Sequence, residues 1–257
     1  MGRFASTVSL YENLRPPYPP AFFRTVAERL SFSQKHALID LGTGPGLLAL
    51  GFAPYVGRIV GVDPEGAMLA AARRAAAREG RELTLIEGRA ETLAETVGTF
   101  EVVTIGRALH WMDRDGALAL FDRLLARDGT ILVCASFSAR DARNPWLEDY
   151  NAARRAWSPA TLWDESGSGA RTHRDLAVFF DASAFRPVDR IKVETSHSVS
   201  VGDLAKRVLT FSSSSPEVLG DKAEAMLADV AERLLPFSRD GRVAETLVST
   251  AQVVRRS

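Results

Sequence analysis

Between residues 37 and 137 five short apolar runs, HALIDLG, RIVGVD, ELTLIEG, FEVVTIG and GTILVCASF, are separated by stretches with helical patterning. Apolar runs of this length bounded by turn residues read as strands buried on both faces. When segments of helix length join them, such strands pair in parallel through right-handed crossovers. PEGAMLAAARRAAARE predicts one of these helices, capped by Asp63, with Pro64 in its first turn and a stop at Gly80. RDGALALFDRLLAR predicts another, ending at Asp128 and Gly129 before the next strand.

The flanks differ in character, and they divide the chain. Prolines at 16, 17, 19 and 20 forbid an earlier helix, so an amphipathic helix is expected from Pro20, and residues 1–36 form an N-terminal arm. Residues 37–137 are the core. Residues 138–186 hold three of the four tryptophans and the Gly/Ser stretch DESGSGAR, with few strand signals, and are expected to form a lid. Residues 187–257 offer a strand near VDRIKVETSHSV, two helices split by SSSS and a last strand near VAETLVSTAQVV, which would complete the sheet.

Composition narrows the function classes. Thirty-two basic and thirty-two acidic side chains cancel, so no overall field draws the chain to nucleic acid or to an anionic membrane. No apolar stretch approaches the ~18 residues of a membrane span, and the N-terminus lacks the apolar core of a signal peptide. The single cysteine, Cys134, forms no intramolecular disulfide and sits in an apolar run, which suits a core position and a cytoplasmic setting. Only four of the basic residues are lysines, an arginine bias expected of a GC-rich bacterial genome. The four histidines and one cysteine lack zinc-site spacing, so no metal is expected. The short NPW at Asn144 reads as a turn and helix start.

Three glycines spaced one residue apart (Gly42, Gly44, Gly46) follow the first strand, and spacing of this kind lets a backbone approach a ligand closely. A dinucleotide turn, G-x-G-x-x-G, needs glycine at 47, where this chain has Leu47. Asp40 stands two residues before Gly42, making the turn D-x-G-x-G-x-G. Asp63 ends the second strand, where a carboxylate accepts hydrogen bonds from ribose hydroxyls. The same device serves NAD enzymes, so Asp63 alone leaves the cofactor open.

Together with YENLRPPYP, EGRAETL and RALHWMD, in this order around the turn, the sequence resembles the class I S-adenosylmethionine-dependent methyltransferases of the small-molecule (methyltransferase type 11, UbiE-like) branch. The resemblance is specific over residues 11–137. It implies an α/β fold: a Rossmann-like, doubly wound, mostly parallel seven-stranded sheet with a helical lid insertion and an N-terminal helical arm. It implies S-adenosyl-L-methionine as cofactor and a small-molecule acceptor, with no nucleic acid or membrane partner.

Carried over residue by residue, Gly42, Gly44 and Gly46 would pass the methionine and ribose portions of the cofactor. Asp40 would position the methionine amino group, Asp63 would hold the ribose, and Ala90 and Glu91 would meet adenine. Arg89 stands where many relatives carry aspartate; arginine cannot accept from an amino group, so the adenine contact must be made otherwise. Thr43, Pro64, Met68, Gly106 and Arg107 complete the expected cofactor set, with Tyr11 and Arg15 covering it from the arm. His110 stands where a general base reaches an acceptor, or where, with Trp111, it walls the pocket; an unperturbed imidazole near pH ~6.5 suits the first role. Tyr18, Trp111, Trp146, Trp163 and His173 are the expected acceptor-side residues. The tryptophans of the lid have a second reading, as that lid's own small core. A NAD(P) oxidoreductase and a member that binds the cofactor without methyl transfer are the alternatives.

Overall fold

The computed structural model describes residues 14–158, 175–211 and 213–257. Its sheet starts with β1 (Ala37–Leu41), β2 (Arg58–Asp63), β3 (Thr84–Glu87), β4 (Phe100–Gly106) and β5 (Leu125–Ser138), all parallel to one another. Two long strands, β6 (Phe185–Ser200) and β8 (Arg242–Arg256), extend it in antiparallel fashion, and the two-residue β7 (Ser238–Arg239) pairs with β8. The order is β3-β2-β1-β4-β5-β8-β6, with β7 off that path. This is the expected seven-stranded α/β architecture with one short strand added.

Helices cover both faces: α1 (Pro20–Arg29), α2 (Leu47–Phe52), α3 (Gly66–Arg78) and α4 (Arg114–Leu124) belong to the crossovers and the arm. Beyond β5 come α5 (Leu147–Trp157), α6 (Leu176–Phe180), α7 (Val201–Lys206), α8 (Pro216–Leu219) and α9 (Ala223–Leu234). Strands β1 and β2 are buried almost throughout, because helices lie on both of their faces. Strand β6, at the edge, mixes buried and exposed residues. On one face Phe22, Phe23 and Val26 of α1 pack with Phe52 of α2. On the other, Leu120, Phe121 and Leu124 of α4 meet Phe179, Phe180 and Phe185. A third cluster joins α5, α7 and α9 through Trp146, Tyr150, Leu204, Met226 and Val230, so the helices split by the serine run pack on α5. Among the described residues no helix is long and apolar enough to cross a membrane.

Two helix ends depart from the sequence expectation. Helix α3 starts at Gly66 without a side-chain cap, because both oxygens of Asp63 are engaged by other backbone amides. Helix α4 is capped by Asp113, whose carboxylate accepts from the Gly116 amide at 2.8 Å, and ends at Leu124 rather than at Asp128. Pairing with β4 resumes from Leu125 across a register shift, which draws the intervening residues into the sheet.

Candidate active site

Strand order reverses between β1 and β4, and the crevice at such a switch point, at the carboxyl ends of the strands, is where open α/β sheets bind ligands. A cavity of about 1260 Å³ lies there. The turn leaving β1 shapes its floor. Gly42, Gly44 and Gly46 all have positive φ (70°, 55° and 87°), a conformation that strains any residue with a Cβ. A Cβ on Gly42 would lie 2.4 Å from the Ala108 Cβ, whereas one on Gly44, a lining residue, would meet nothing within 4 Å. Gly46 does not line the cavity. It precedes α2, and a Cβ there would press on Ala72 of α3 at 3.3 Å, so its part is helix packing.

Two carboxylates flank the turn. Asp40, 1% exposed, accepts from the Thr43 hydroxyl at 2.7 Å and from the Thr104 hydroxyl at 2.8 Å. Burial pushes its pKa up to about 6 against the pull of those hydrogen bonds. Asp63 accepts from the Gly44 amide at 2.8 Å and the Glu65 amide at 2.9 Å, tying the end of β2 to the glycine turn. Burial raises its pKa too, with the two amides opposing.

Thr43, Pro64, Met68, Arg89, Ala90, Glu91 and Gly106 line the same cavity. The Glu91 carboxylate accepts from the Asp113 amide at 3.0 Å and lies 3.5 Å from the Arg89 guanidinium, which is itself largely exposed. Arg107, with a positive φ of 59°, donates to the Pro16 carbonyl at 2.5 Å and the Ser136 carbonyl at 2.9 Å, and lies over the Tyr18 ring. Arg15 donates to the Thr210 carbonyl at 2.5 Å, and the Ser136 hydroxyl donates to Pro17 O at 2.7 Å. These bonds hold segment 14–17 against both the core and the helices after β6. His110 and Trp111 sit in a short 3-10 turn after β4, their rings 4.8 Å apart, and both line the cavity; Trp111 is 45% exposed.

The acceptor-side expectations divide. Tyr18 and Trp111 line the cavity. Trp146 does not: it is buried among α5, α7 and α9 and donates its Nε1–H to the Ala244 carbonyl at 3.0 Å. Asn144 is also buried, its amide donating to the Ala139 and Thr246 carbonyls, so NPW anchors the start of α5. Tyr11, Trp163 and His173 lie outside the described residues. Sequence reasoning missed Phe137, Arg140, Asn151, Arg154, Arg155 and Phe211, which also line the cavity. No motif marks them; only the helical spacing of Asn151, Arg154 and Arg155 on α5 would put them on neighbouring faces.

Residues 38–129 match the family described as Methyltransferase domain. An uncharacterized methyltransferase of Bacillus subtilis, YcgJ, is 30% identical over 135 residues, a match covering 51% of this chain and 52% of that one, about half the length of each. Among solved structures, a methyltransferase from Thiobacillus denitrificans, described as S-adenosylmethionine-dependent and in complex with S-adenosyl-L-homocysteine, superposes with a TM-score of 0.57 at 14% identity. It covers 100% of this chain and 99% of its own. The [4+2]-cyclase SpnF superposes with a TM-score of 0.58 at 16% identity over 97% of this chain and 93% of its own. At these identities the likeness is one of fold.

Proposed function

We propose, from the match of residues 38–129 to the family described as Methyltransferase domain, that the chain transfers a methyl group from S-adenosylmethionine to a small-molecule acceptor. The observation that carries this reading is the pair of buried carboxylates, Asp40 and Asp63, flanking a glycine turn at the switch point. Asp63 suits a ribose in either cofactor, but the Asp40 carboxylate buried beside the turn repels a pyrophosphate and favours a cation. S-adenosylmethionine carries a sulfonium and an ammonium against one carboxylate. Leu47, at the first turn of α2 and on the cavity wall, stands where a dinucleotide turn needs glycine. Both features disfavour NAD(P).

When bound, S-adenosylmethionine supplies an activated methyl for in-line displacement. The chain's own residues then align, bind and exclude water. Asp63 would hold the ribose hydroxyls from a position already fixed by the Gly44 and Glu65 amides. Asp40, oriented by two threonine hydroxyls, would face the methionine amino group. Segment 14–17, Tyr18 and Trp111 would close the site from above. His110 would take the proton of a hydroxyl acceptor, or wall the pocket for an acceptor that has none to lose.

Calorimetry with S-adenosylmethionine, S-adenosylhomocysteine and NAD tests the cofactor; tight binding of NAD and none of the first two would overturn it. Turnover of a metabolite panel tests methyl transfer, and cofactor binding without methylated product would favour a binding or non-redox role. With an active acceptor in hand, His110→Ala separates the two roles. A base should give a kcat loss of roughly 10²–10⁴ and an acid limb that vanishes in the variant, with cofactor affinity kept.

A further inference from the structure

We infer that Arg107 is a positioning residue that latches the arm over the cavity and so sets how slowly the cofactor leaves; this rests on the reading of the cavity as the cofactor site. The arm has little of its own to hold it there. Pro16 and Pro17 have no N–H to donate, and residues 16–19 lie in neither helix nor strand, so their carbonyls find partners elsewhere. Side chains from three elements supply the ties. Arg207, just after α7, donates to the Leu14 carbonyl at 2.6 Å, and Ser136, on β5, donates to that of Pro17 at 2.7 Å. Arg107, one residue past β4, donates to that of Pro16 at 2.5 Å.

Arg107 differs from the other two ties in where it stands. It lines the cavity on the loop that also carries His110 and Trp111. The Nη2 that meets Pro16 also donates to the Ser136 carbonyl at 2.9 Å, so one group joins the arm, the end of β4 and β5. The guanidinium carbon lies 5.1 Å from the centre of the Tyr18 ring, another lining residue. Backbone confines that tyrosine as well, because a Cβ on Gly106 would stand 3.4 Å from its hydroxyl oxygen. A cation over the face of the ring and backbone against its hydroxyl fix where the ring sits. Of the four non-glycine residues with positive φ among the described residues, Arg107 alone lines the cavity. Such strain persists where surrounding contacts over-determine it, and it gathers at sites that must keep one geometry. Here those contacts reach the arm. Release of a ligand covered by Tyr18 requires the arm to lift, so the bonds of Arg107 slow exit more than entry.

The test is the rate at which S-adenosylhomocysteine leaves the full-length protein, followed by surface plasmon resonance. Arg107→Gly removes the side chain at a φ of 59°, which glycine adopts without strain, so the melting temperature is expected to stay within a few degrees of wild type. If this variant does not fold, Arg107→Lys, which keeps the charge but not the guanidinium geometry, takes its place. The dissociation rate should rise more than about threefold, with the association rate changed by less than that. A direct contact between Arg107 and the ligand would also speed release, and a double-variant cycle with Tyr18→Leu separates the two. When Arg107 acts through the arm, the double variant departs from the product of the two single effects by more than about threefold. Should Tyr18→Leu not fold, Ser136→Ala, which unties Pro17, replaces it in the cycle with the same expectation. Single effects that multiply, a loss confined to the association rate, or an unchanged dissociation rate overturns the proposal and leaves the cofactor reading standing. Failure of wild-type protein to bind S-adenosylhomocysteine overturns the cofactor reading, and this proposal with it.

Discussion

Asp63 holds two backbone amides in one loop arrangement, and the cofactor reading asks the same carboxylate to accept from ribose. Asp63→Asn keeps the size but removes the charge and turns one acceptor into a donor. S-adenosylhomocysteine affinity should fall about ten- to a hundredfold, the loss of charge-assisted bonds worth roughly 1.5–3 kcal/mol. Unchanged affinity in a variant that melts normally would take the ribose role from Asp63. Asp40 makes a different prediction because its pKa is raised, from 3.8 to about 6. Between those two values the folded chain binds a proton that the unfolded chain releases. Its contribution to stability therefore grows as the pH falls from 6 towards 4, and above pH 6 the ionised group costs about 3 kcal/mol. Asp40→Asn should raise the melting temperature of the ligand-free protein at pH 7–8 and flatten its profile between pH 4 and 6. Parallel pH profiles for the two proteins would remove Asp40 as the titrating group.

At the scale of the element, the glycine turn combines two demands that one substitution each can separate. Gly42→Ala adds a Cβ 2.4 Å from that of Ala108 at a φ of 70°, so it should cost roughly 2–5 kcal/mol of stability. Gly44→Ala, at a φ of 55°, meets no neighbouring atom and should cost only about 1–2 kcal/mol. Its methyl group would nevertheless stand at the cavity floor, and S-adenosylhomocysteine binding should drop more than tenfold. Melting curves and calorimetry on the pair check this; a Gly44 variant that binds normally would place the ligand elsewhere. The strained Arg107 is the other special backbone position, and its two carbonyl partners, Pro16 and Ser136, show what holds it there.

Across the whole molecule, one buried network joins the arm, the turn after α7 and the last strand. Arg207 pairs with Glu245 through two bonds of 2.6 and 2.9 Å, and its Nε donates to the Leu14 carbonyl at 2.6 Å. Ser138 Oγ donates to Glu245 at 2.6 Å, and His197 Nε2 lies 3.1 Å from it. Burial pushes the Glu245 carboxyl up, but the hydrogen bonds and charge of Arg207, with Ser138 and His197, hold it below its ordinary value. Glu245→Gln leaves a buried guanidinium uncompensated and should cost about 3–5 kcal/mol, a fall in melting temperature of roughly 2–4 °C per kcal/mol. Because the depressed pKa stabilises the protein only where Glu245 is ionised, the gap between wild type and variant should narrow as acid protonates the carboxyl. A melting temperature within a degree or two of wild type would mean that the network is not a structural tie.

The sequence by itself determined the sheet, because strands buried on both faces must be continuously apolar and the intervening helices then have one way to cross over. It also picked out residues that line the cavity. Asp40, the glycine turn, Asp63, Glu91 and His110 all sit at or just beyond strand ends, and the switch point gathers strand ends whatever packs beside them. The tertiary structure alone decided which residues distant in sequence join them. Arg15, Arg154 and Phe211 lie far apart in the chain and meet only because α5, α7 and α9 pack together over segment 14–17. The same packing removes Trp146 from the cavity: its indole fills the core of that helical cluster, where apolar area is buried and its N–H finds a carbonyl. The partnership of Arg207 with Glu245 is equally invisible in sequence, because two charged residues among sixty-four are paired by burial and not by spacing.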